Sequence, residues 1–80
     1  MIRLMLADDQ AMFRQGLARL LSLEPDMAVL AEAMDGRAAI ALAEQHQPDV
    51  ILMDMRMPQV DGVAATREIH QRLPWIRILV

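Results

Sequence analysis

The sequence predicts an α/β domain with a doubly wound parallel sheet and the element order βαβαβαβ. Short apolar segments of β-compatible residues alternate with longer segments whose apolar residues recur at helical spacing. The apolar run Val50-Ile51-Leu52-Met53 is continuous, which is typical of a strand that helices cover on both faces. Such alternation favours parallel strands connected by helices on both sides of the sheet.

The first helix is predicted between two strands. Ile2 to Ala7 is short and apolar and is predicted to be the first strand. A helical pattern follows the first strand and ends at Glu24-Pro25-Asp26. Met27 to Ala33 is predicted to be the second strand. The helix between these strands is predicted from four apolar residues at helical spacing: Phe13, Leu17, Leu20 and Leu21.

The middle of the chain predicts a turn, a helix and a strand. Asp35-Gly36 is a turn signal, and Arg37 to Gln47 follows it as a helix. One face of this helix carries Ala39, Leu42, Ala43 and His46. Val50 to Met53 is the third strand.

The last helix and strand follow a candidate helix cap. Gly62 to Leu73 is predicted to be helical, with Asp61 as its N-cap residue. Its residues at helical spacing are Thr66, Ile69 and Leu73. Ile76 to Val80 is predicted to be the fourth strand.

The composition fits one domain over residues 1–80 and argues against several function classes. The formal net charge is −3 and no Lys or Arg cluster occurs, so the chain lacks the positive surface of nucleic-acid-binding domains. Without cysteine there is neither a disulfide framework nor a thiolate metal site, which is compatible with the cytoplasm. No apolar segment is long enough to span a bilayer, and we expect no membrane partner.

Three carboxylates follow two of the predicted strands. Asp8 and Asp9 end the first apolar run, and Asp54 ends the third. Because the carboxyl ends of parallel strands lie along one edge of a sheet, we expect these side chains to meet there. Two carboxylates about 4 Å apart repel by roughly 4 kcal/mol at an effective dielectric near 20, so the group needs a cation. An all-oxygen site with few protein ligands suits Mg²⁺.

Each of these aspartates also has a structural interpretation. An Asp after a strand is often a turn former or a helix cap, because its side chain accepts local backbone N–H bonds. The third carboxylate favours a binding site over this interpretation. Asp61-Gly62 is interpreted as a cap and a tight loop, and Met57-Pro58 as a brace that aims the segment after Asp54.

Together, the motifs resemble the receiver domain of two-component response regulators, over the whole chain. The pattern consists of Asp8-Asp9, then Asp54, then Met55-Arg56-Met57-Pro58, then Asp61-Gly62. The phrase Phe13-Arg14-Gln15-Gly16-Leu17 is similar to the first helix of the LuxR/NarL-type subgroup. Gln10 differs from the His often found at its position, which leaves the acidic residues intact. The resemblance implies a flavodoxin-like receiver topology.

By this resemblance, Asp54 accepts a phosphoryl group from a phosphohistidine of a sensor histidine kinase. Asp9 and Asp54 would hold Mg²⁺ directly, the backbone carbonyl of Arg56 would complete the protein ligands, and Asp8 would act through a bound water. The Arg56 side chain is a candidate to pair with the carboxylate or to shield the aspartyl phosphate. Such a domain is not an enzyme, since it catalyses only its own phosphorylation and dephosphorylation.

The resemblance also implies elements beyond this sequence. Complete receivers have five strands, so we expect the Ser or Thr after strand four, the Lys after strand five and the last two helices to be missing. A DNA-binding output domain would likewise lie outside residues 1–80. With strand four as an open apolar edge, we expect a homodimer or aggregation through Ile76 to Val80.

Other function classes fit the residues less well. A phosphatase of the haloacid dehalogenase type needs a second Asp two positions after the first, where this chain has Arg56. A nucleotide-binding domain needs a glycine-rich loop, and Gly16, Gly36 and Gly62 lie far apart. A receiver-like interaction or dimerisation module that is never phosphorylated remains the alternative.

Overall fold

A computed structural model describes residues 1–57 and 59–80. The predicted fold class is confirmed: four strands and three helices alternate in the order βαβαβαβ. Their bounds are β1 Ile2–Ala7, α1 Ala11–Ser22, β2 Met27–Ala33, α2 Gly36–His46, β3 Val50–Met53, α3 Gly62–Arg72 and β4 Arg77–Leu79. The predicted brace at Met57-Pro58 falls partly on Pro58, which lies outside the described residues.

All four strands are parallel, in the order β2-β1-β3-β4. Ala7, the last residue of β1, is in register with Met53, the last residue of β3. Because these two central strands end level with each other, the residues that follow them emerge side by side at one edge of the sheet.

Helices cover both faces of the sheet. Met5 and Ile51 point to the face that α2 and α3 cover, where they join Ala39, Ala65 and other buried residues in the main core. Leu4 and Leu6 have the opposite parity and point to the face of α1. None of the helices in the described residues is long and apolar enough to cross a bilayer.

Three helix boundaries differ from the predictions. Asp35 is the N-cap of α2 rather than part of a free turn, because its Oδ1 accepts the Ala38 N–H at 2.7 Å. The helix therefore begins at Gly36, and it ends before Gln47, whose φ of 46° is left-handed. The third helix ends at Arg72, with Leu73 as its C-cap residue.

β4 is shorter than predicted, since it covers Arg77–Leu79 rather than residues 76–80. Pairing with β3 is confined to Val50, Ile51 and Leu52, which sets the length of the strand. Ile76 instead donates its N–H to the carbonyl of Leu73 at 3.1 Å and belongs to the preceding turn.

The apolar spacing in α1 predicts the helix but not its buried face. Arg14 and Ala18 are the buried residues of α1, whereas Phe13 is 59% exposed and Leu20 is 65% exposed. One side of this helix therefore presents apolar side chains that the described residues leave uncovered.

Candidate metal centre

Asp8 continues the ladder of the sheet beyond β1. Its N–H donates to the carbonyl of Ala33 at 3.0 Å, and its Oδ1 accepts the N–H of Gln10 at 2.9 Å. The second bond closes a local turn of the kind expected for an Asp that follows a strand. One oxygen of Asp8 therefore has the role of a turn former. The other oxygen is not used by that turn.

Asp54 occupies the equivalent place after β3. Its N–H donates to the carbonyl of Ala7 at 2.9 Å, which fixes its backbone against β1. Its Oδ1 accepts the N–H of Arg56 at 3.2 Å, and the side chain is half-buried. The Arg56 N–H thus orients the Asp54 carboxylate, and the Ala7 carbonyl fixes the Asp54 backbone.

The sheet edge brings the three predicted carboxylates together. One oxygen each from Asp8, Asp9 and Asp54 lie within 4.8 Å of one another. Asp9 is the exposed member, and the other two are half-buried. The expectation that strand ends would gather these residues is therefore confirmed, whereas their roles as ligands are a separate matter.

The chemistry of this donor set fits a divalent cation. In the described residues, the ion pairs join Arg14 to Glu32 and Arg72 to Glu44 and Glu68, and none includes the three aspartates. No ion pair within the described residues therefore relieves the repulsion among the three aspartates. Two oxygens bound to one Mg²⁺ at about 2.1 Å lie at most about 4.2 Å apart. Oxygens that lie within 4.8 Å of one another are close to this limit, so the three carboxylates are near enough to share one ion.

An open pocket of about 430 Å³ adjoins the cluster. Its polar lining residues are Asp8, Arg14, Asp54 and Arg56. The remaining lining is mostly apolar and includes Phe13, Leu17, Leu52, Leu79 and Val80. Two of the three aspartates, Asp8 and Asp54, therefore line this pocket, whereas Asp9 does not.

Arg56 lies beside Asp54 through its backbone rather than its side chain. Its N–H bonds to the Asp54 carboxylate, while its side chain is exposed and takes part in none of the ion pairs recorded in residues 1–57 and 59–80. The suggested pairing of its guanidinium with Asp54 is therefore absent from the described structure.

Comparison with known proteins identifies the family. The chain matches the response regulator receiver domain family over residues 4–80. It belongs to this family.

Relatives of the receiver domain include transcriptional regulators. This chain is 47% identical over 79 residues to the transcriptional regulatory protein DegU of Brevibacillus brevis. The matched region covers 99% of this chain and 34% of DegU. The chain thus spans about a third of the length of this curated relative. Solved structures extend the likeness to the fold.

The receiver domain superimposes on the response regulator domain of Thermotoga maritima CheB with a TM-score of 0.92 and 38% identity, covering 96% of this chain and 57% of that one. A LuxR-family two-component response regulator from Aurantimonas sp. SI85-9A1 gives a TM-score of 0.90 and 40% identity, with 96% and 55% covered. These likenesses include the predicted LuxR/NarL-type subgroup.

Sequence analysis found the aspartates of the receiver domain but missed the residues that shape their surroundings. A Cβ on Gly36 would overlap the carbonyl oxygen of Val60, so α2 begins against the loop that follows Asp54. Arg14 is buried beside the Asp8 backbone. The only signal for Arg14 was its place in the phrase Phe13-Arg14-Gln15-Gly16-Leu17, which carried no role for it.

Proposed function

We propose that Asp54 is the phosphoacceptor of this receiver domain and takes a phosphoryl group from a phosphohistidine on a sensor histidine kinase. The observation that carries the proposal is the group of three carboxylate oxygens within 4.8 Å at one sheet edge, next to an open pocket. In the transfer, an Asp54 oxygen forms a bond to phosphorus and the P–N bond breaks. The electron pair of the broken P–N bond stays on the imidazole nitrogen.

The proposed ligands of Mg²⁺ are Asp9, Asp54 and the Arg56 carbonyl, with Asp8 acting through water. Mg²⁺ bound there would neutralise charge on the phosphoryl oxygens, which is the main requirement of phosphoryl transfer. The hydrogen bonds support the role of Asp9 as a direct ligand, because it is the one of the three whose two oxygens both accept no hydrogen bond from the described residues. Asp8 already uses one oxygen for the Gln10 N–H, whereas the exposed Asp9 side chain accepts no hydrogen bond from the described residues.

The contacts of Asp54 suit a nucleophile held in place. Its backbone is fixed to Ala7, and the Arg56 N–H holds Oδ1. Oδ2 accepts no hydrogen bond in the described residues, so it is the oxygen we assign to the attack on phosphorus. Because this chemistry depends on in-line positioning, restraint of the carboxylate is what the protein has to supply.

Partners and output are proposed from the relatives. DegU is named a transcriptional regulatory protein and the Aurantimonas structure a LuxR-family regulator, so we propose that phosphorylation controls DNA binding through an output domain. A kinase partner, a homodimer, a cytoplasmic location and the lack of any catalysis beyond the domain's own phosphorylation belong to the same proposal.

A small-molecule phosphodonor tests the assignment without the kinase. The protein incubated with acetyl phosphate and Mg²⁺ should gain one phosphoryl group by intact-mass spectrometry, and Asp54→Asn should gain none. Asp26→Asn is the matched control, because Asp26 is exposed and lies outside the cluster. Equal labelling of Asp54→Asn and the unaltered protein would refute the proposal. No labelling of either would favour the unphosphorylated interaction module.

A further inference from the structure

Arg14 is a buried cation beside the acidic cluster. It is 8% exposed and is the charged residue that the described part of the chain buries. It lies in the first turns of α1, and its guanidinium reaches in two directions. Nε donates to Glu32 Oε1 on β2 at 3.0 Å, and Nη1 donates to the carbonyl oxygen of Asp8 at 2.6 Å.

The Asp8 contact fixes one particular peptide group. Asp8 is held at its N–H by the Ala33 carbonyl, at its side chain by the Gln10 N–H, and at its carbonyl by Arg14. The carbonyl of Asp8 and the N–H of Asp9 share one planar peptide unit. Rotation of that unit would move Asp9, and the Arg14 hydrogen bond opposes it.

Asp9 depends on its backbone for its position. Its side chain is exposed and accepts no hydrogen bond from the residues that the structure describes. We propose that Arg14 is a positioning residue for the acidic cluster: tethered to Glu32, it fixes the Asp8-Asp9 peptide and so holds Asp9 where it binds Mg²⁺. This inference rests on the proposed function of the cluster.

The geometry explains the need for arginine and for Glu32. The planar guanidinium presents donors in fixed directions, so one side chain serves a carboxylate on β2 and a carbonyl after β1 together. A lysine ammonium is a point charge on a flexible stem and does not reproduce this fork. Glu32, with its side chain 34% exposed, neutralises the buried cation and keeps it aimed at Asp8.

The competing explanation is that Arg14 and Glu32 form an ion pair that only stabilises the fold. Exchanging the two residues separates the explanations. Arg14→Glu combined with Glu32→Arg keeps opposite charges at both places but moves the guanidinium to β2, away from its place on α1. Arg14→Lys keeps the charge on α1 and loses the fork.

The test compares these variants in the protein at its native length. Amide hydrogen exchange at residues 8–10 is measured without metal, Mg²⁺ affinity is measured with the metal alone, and the rate of labelling by acetyl phosphate is measured against Mg²⁺ concentration. Arg19→Lys is the matched control, since Arg19 is an exposed arginine on the same helix. Thermal unfolding reports the stability of each variant.

Arg14→Lys should speed exchange at residues 8–10 and weaken Mg²⁺ binding about tenfold, the scale of outer-shell partners of metal ligands. The Mg²⁺ concentration for half-maximal labelling should rise by the same factor, with the rate at saturating Mg²⁺ nearly unchanged. The exchanged pair should regain stability relative to Arg14→Glu without regaining Mg²⁺ affinity, and Arg19→Lys should change nothing.

Unchanged Mg²⁺ affinity and amide exchange in Arg14→Lys would overturn the role of Arg14 and leave the proposed function of the cluster standing. Full recovery of Mg²⁺ affinity in the variant with both Arg14→Glu and Glu32→Arg would have the same meaning. If Arg14→Lys fails to fold, Glu32→Gln decides the question, because it retains Arg14 but loosens its tether. Unchanged affinity and exchange in Glu32→Gln would then make Arg14 purely structural. An unaltered protein that binds no Mg²⁺ would overturn the proposed function and this inference together.

Discussion

The first residue of α3, Gly62, lies against the backbone carbonyl of Asp54. A Cβ at Gly62 would overlap the Asp54 carbonyl oxygen and crowd the Cα of Met55. The N–H of Gly62 also donates to the carbonyl of Met55 at 3.0 Å. Gly62 is therefore required by close approach of two backbones, since no glycine in the described residues has a positive φ.

Gly62→Ala should destabilise the domain although alanine is the better helix former. The helix propensity of alanine is worth about 0.5–1 kcal/mol over glycine, but overlap with rigid backbone typically costs about 1–3 kcal/mol. Because the displaced atoms belong to Asp54 and Met55, labelling of Asp54 by acetyl phosphate should slow as well. Urea unfolding and labelling rates measure the two effects.

Gly16→Ala is the matched control for this prediction. Gly16 lies inside α1, and nothing stands within 4 Å of a Cβ placed there. This substitution should stabilise the domain by about 0.5–1 kcal/mol. If both alanine variants were stabilised alike, the packing described for Gly62 would be wrong.

Three strands were predictable from the sequence because each is a short, mostly apolar segment: Ile2–Ala7, Met27–Ala33 and Val50–Met53 have the predicted bounds. An Asp directly follows the first and the third of them. Asp61 was predicted as a helix cap because it directly precedes a segment with helical spacing. Its Oδ1 accepts the Ala64 N–H at 2.9 Å, which confirms the prediction. Asp35-Gly36 misled because the same dipeptide suits a turn and a helix start.

Tertiary features were beyond local reasoning. The periodicity of α1 marks Phe13, Leu17 and Leu20 as its apolar face, yet Arg14 and Ala18 are the buried residues. A buried arginine is recognisable only when its partners are known, and Glu32 lies on another strand. The meeting of three aspartates was predictable because parallel topology alone brings strand ends together.

Asp9 and Asp8 should differ in their effect on Mg²⁺ binding. Asp9→Ala removes a proposed direct ligand, whereas Asp8→Ala removes one that acts through water, so Asp9→Ala should weaken binding more. Without metal, Asp9→Ala should leave stability unchanged or raise it, since it relieves repulsion among the carboxylates. Asp8→Ala relieves the same repulsion but also loses the hydrogen bond to the Gln10 N–H, so it should be the less stable of the two variants.

Thermal unfolding with and without Mg²⁺ measures this difference. Mg²⁺ at about 100 times its dissociation constant should stabilise the unaltered domain by about 2.7 kcal/mol, and Asp9→Ala should lose most of this gain. Asp26→Ala serves as the control for removal of a carboxylate outside the cluster. The reverse order of Asp8→Ala and Asp9→Ala would mean that the two roles are exchanged.

Asp61→Ala should lower stability by about 1 kcal/mol, because it removes the side-chain acceptor of the Ala64 N–H at the start of α3. Asp61→Ser keeps an acceptor and should retain most of the stability. Chemical denaturation measures both variants. A loss as large in Asp61→Ser as in Asp61→Ala would show that the charge of Asp61, rather than its capping bond, stabilises this region.

A polypeptide of residues 1–80 should self-associate through β4. In the described sheet this strand pairs with β3 on one side only, and Leu79 is 55% exposed beside the open edge. Unpaired backbone groups on an apolar edge strand pair readily with another chain. Sedimentation at micromolar concentration should therefore detect a dimer or larger species.

Leu79→Lys should reduce this association, because a charge on an edge strand opposes pairing with a second copy. Leu23→Lys is the matched control: Leu23 is also exposed, but it follows α1 and belongs to no strand of the sheet. Equal effects of the two substitutions would assign the association to apolar surface in general. A monodisperse monomer that unfolds cooperatively on heating would show that β4 needs no further strand, because the four strands and three helices would then be stable by themselves.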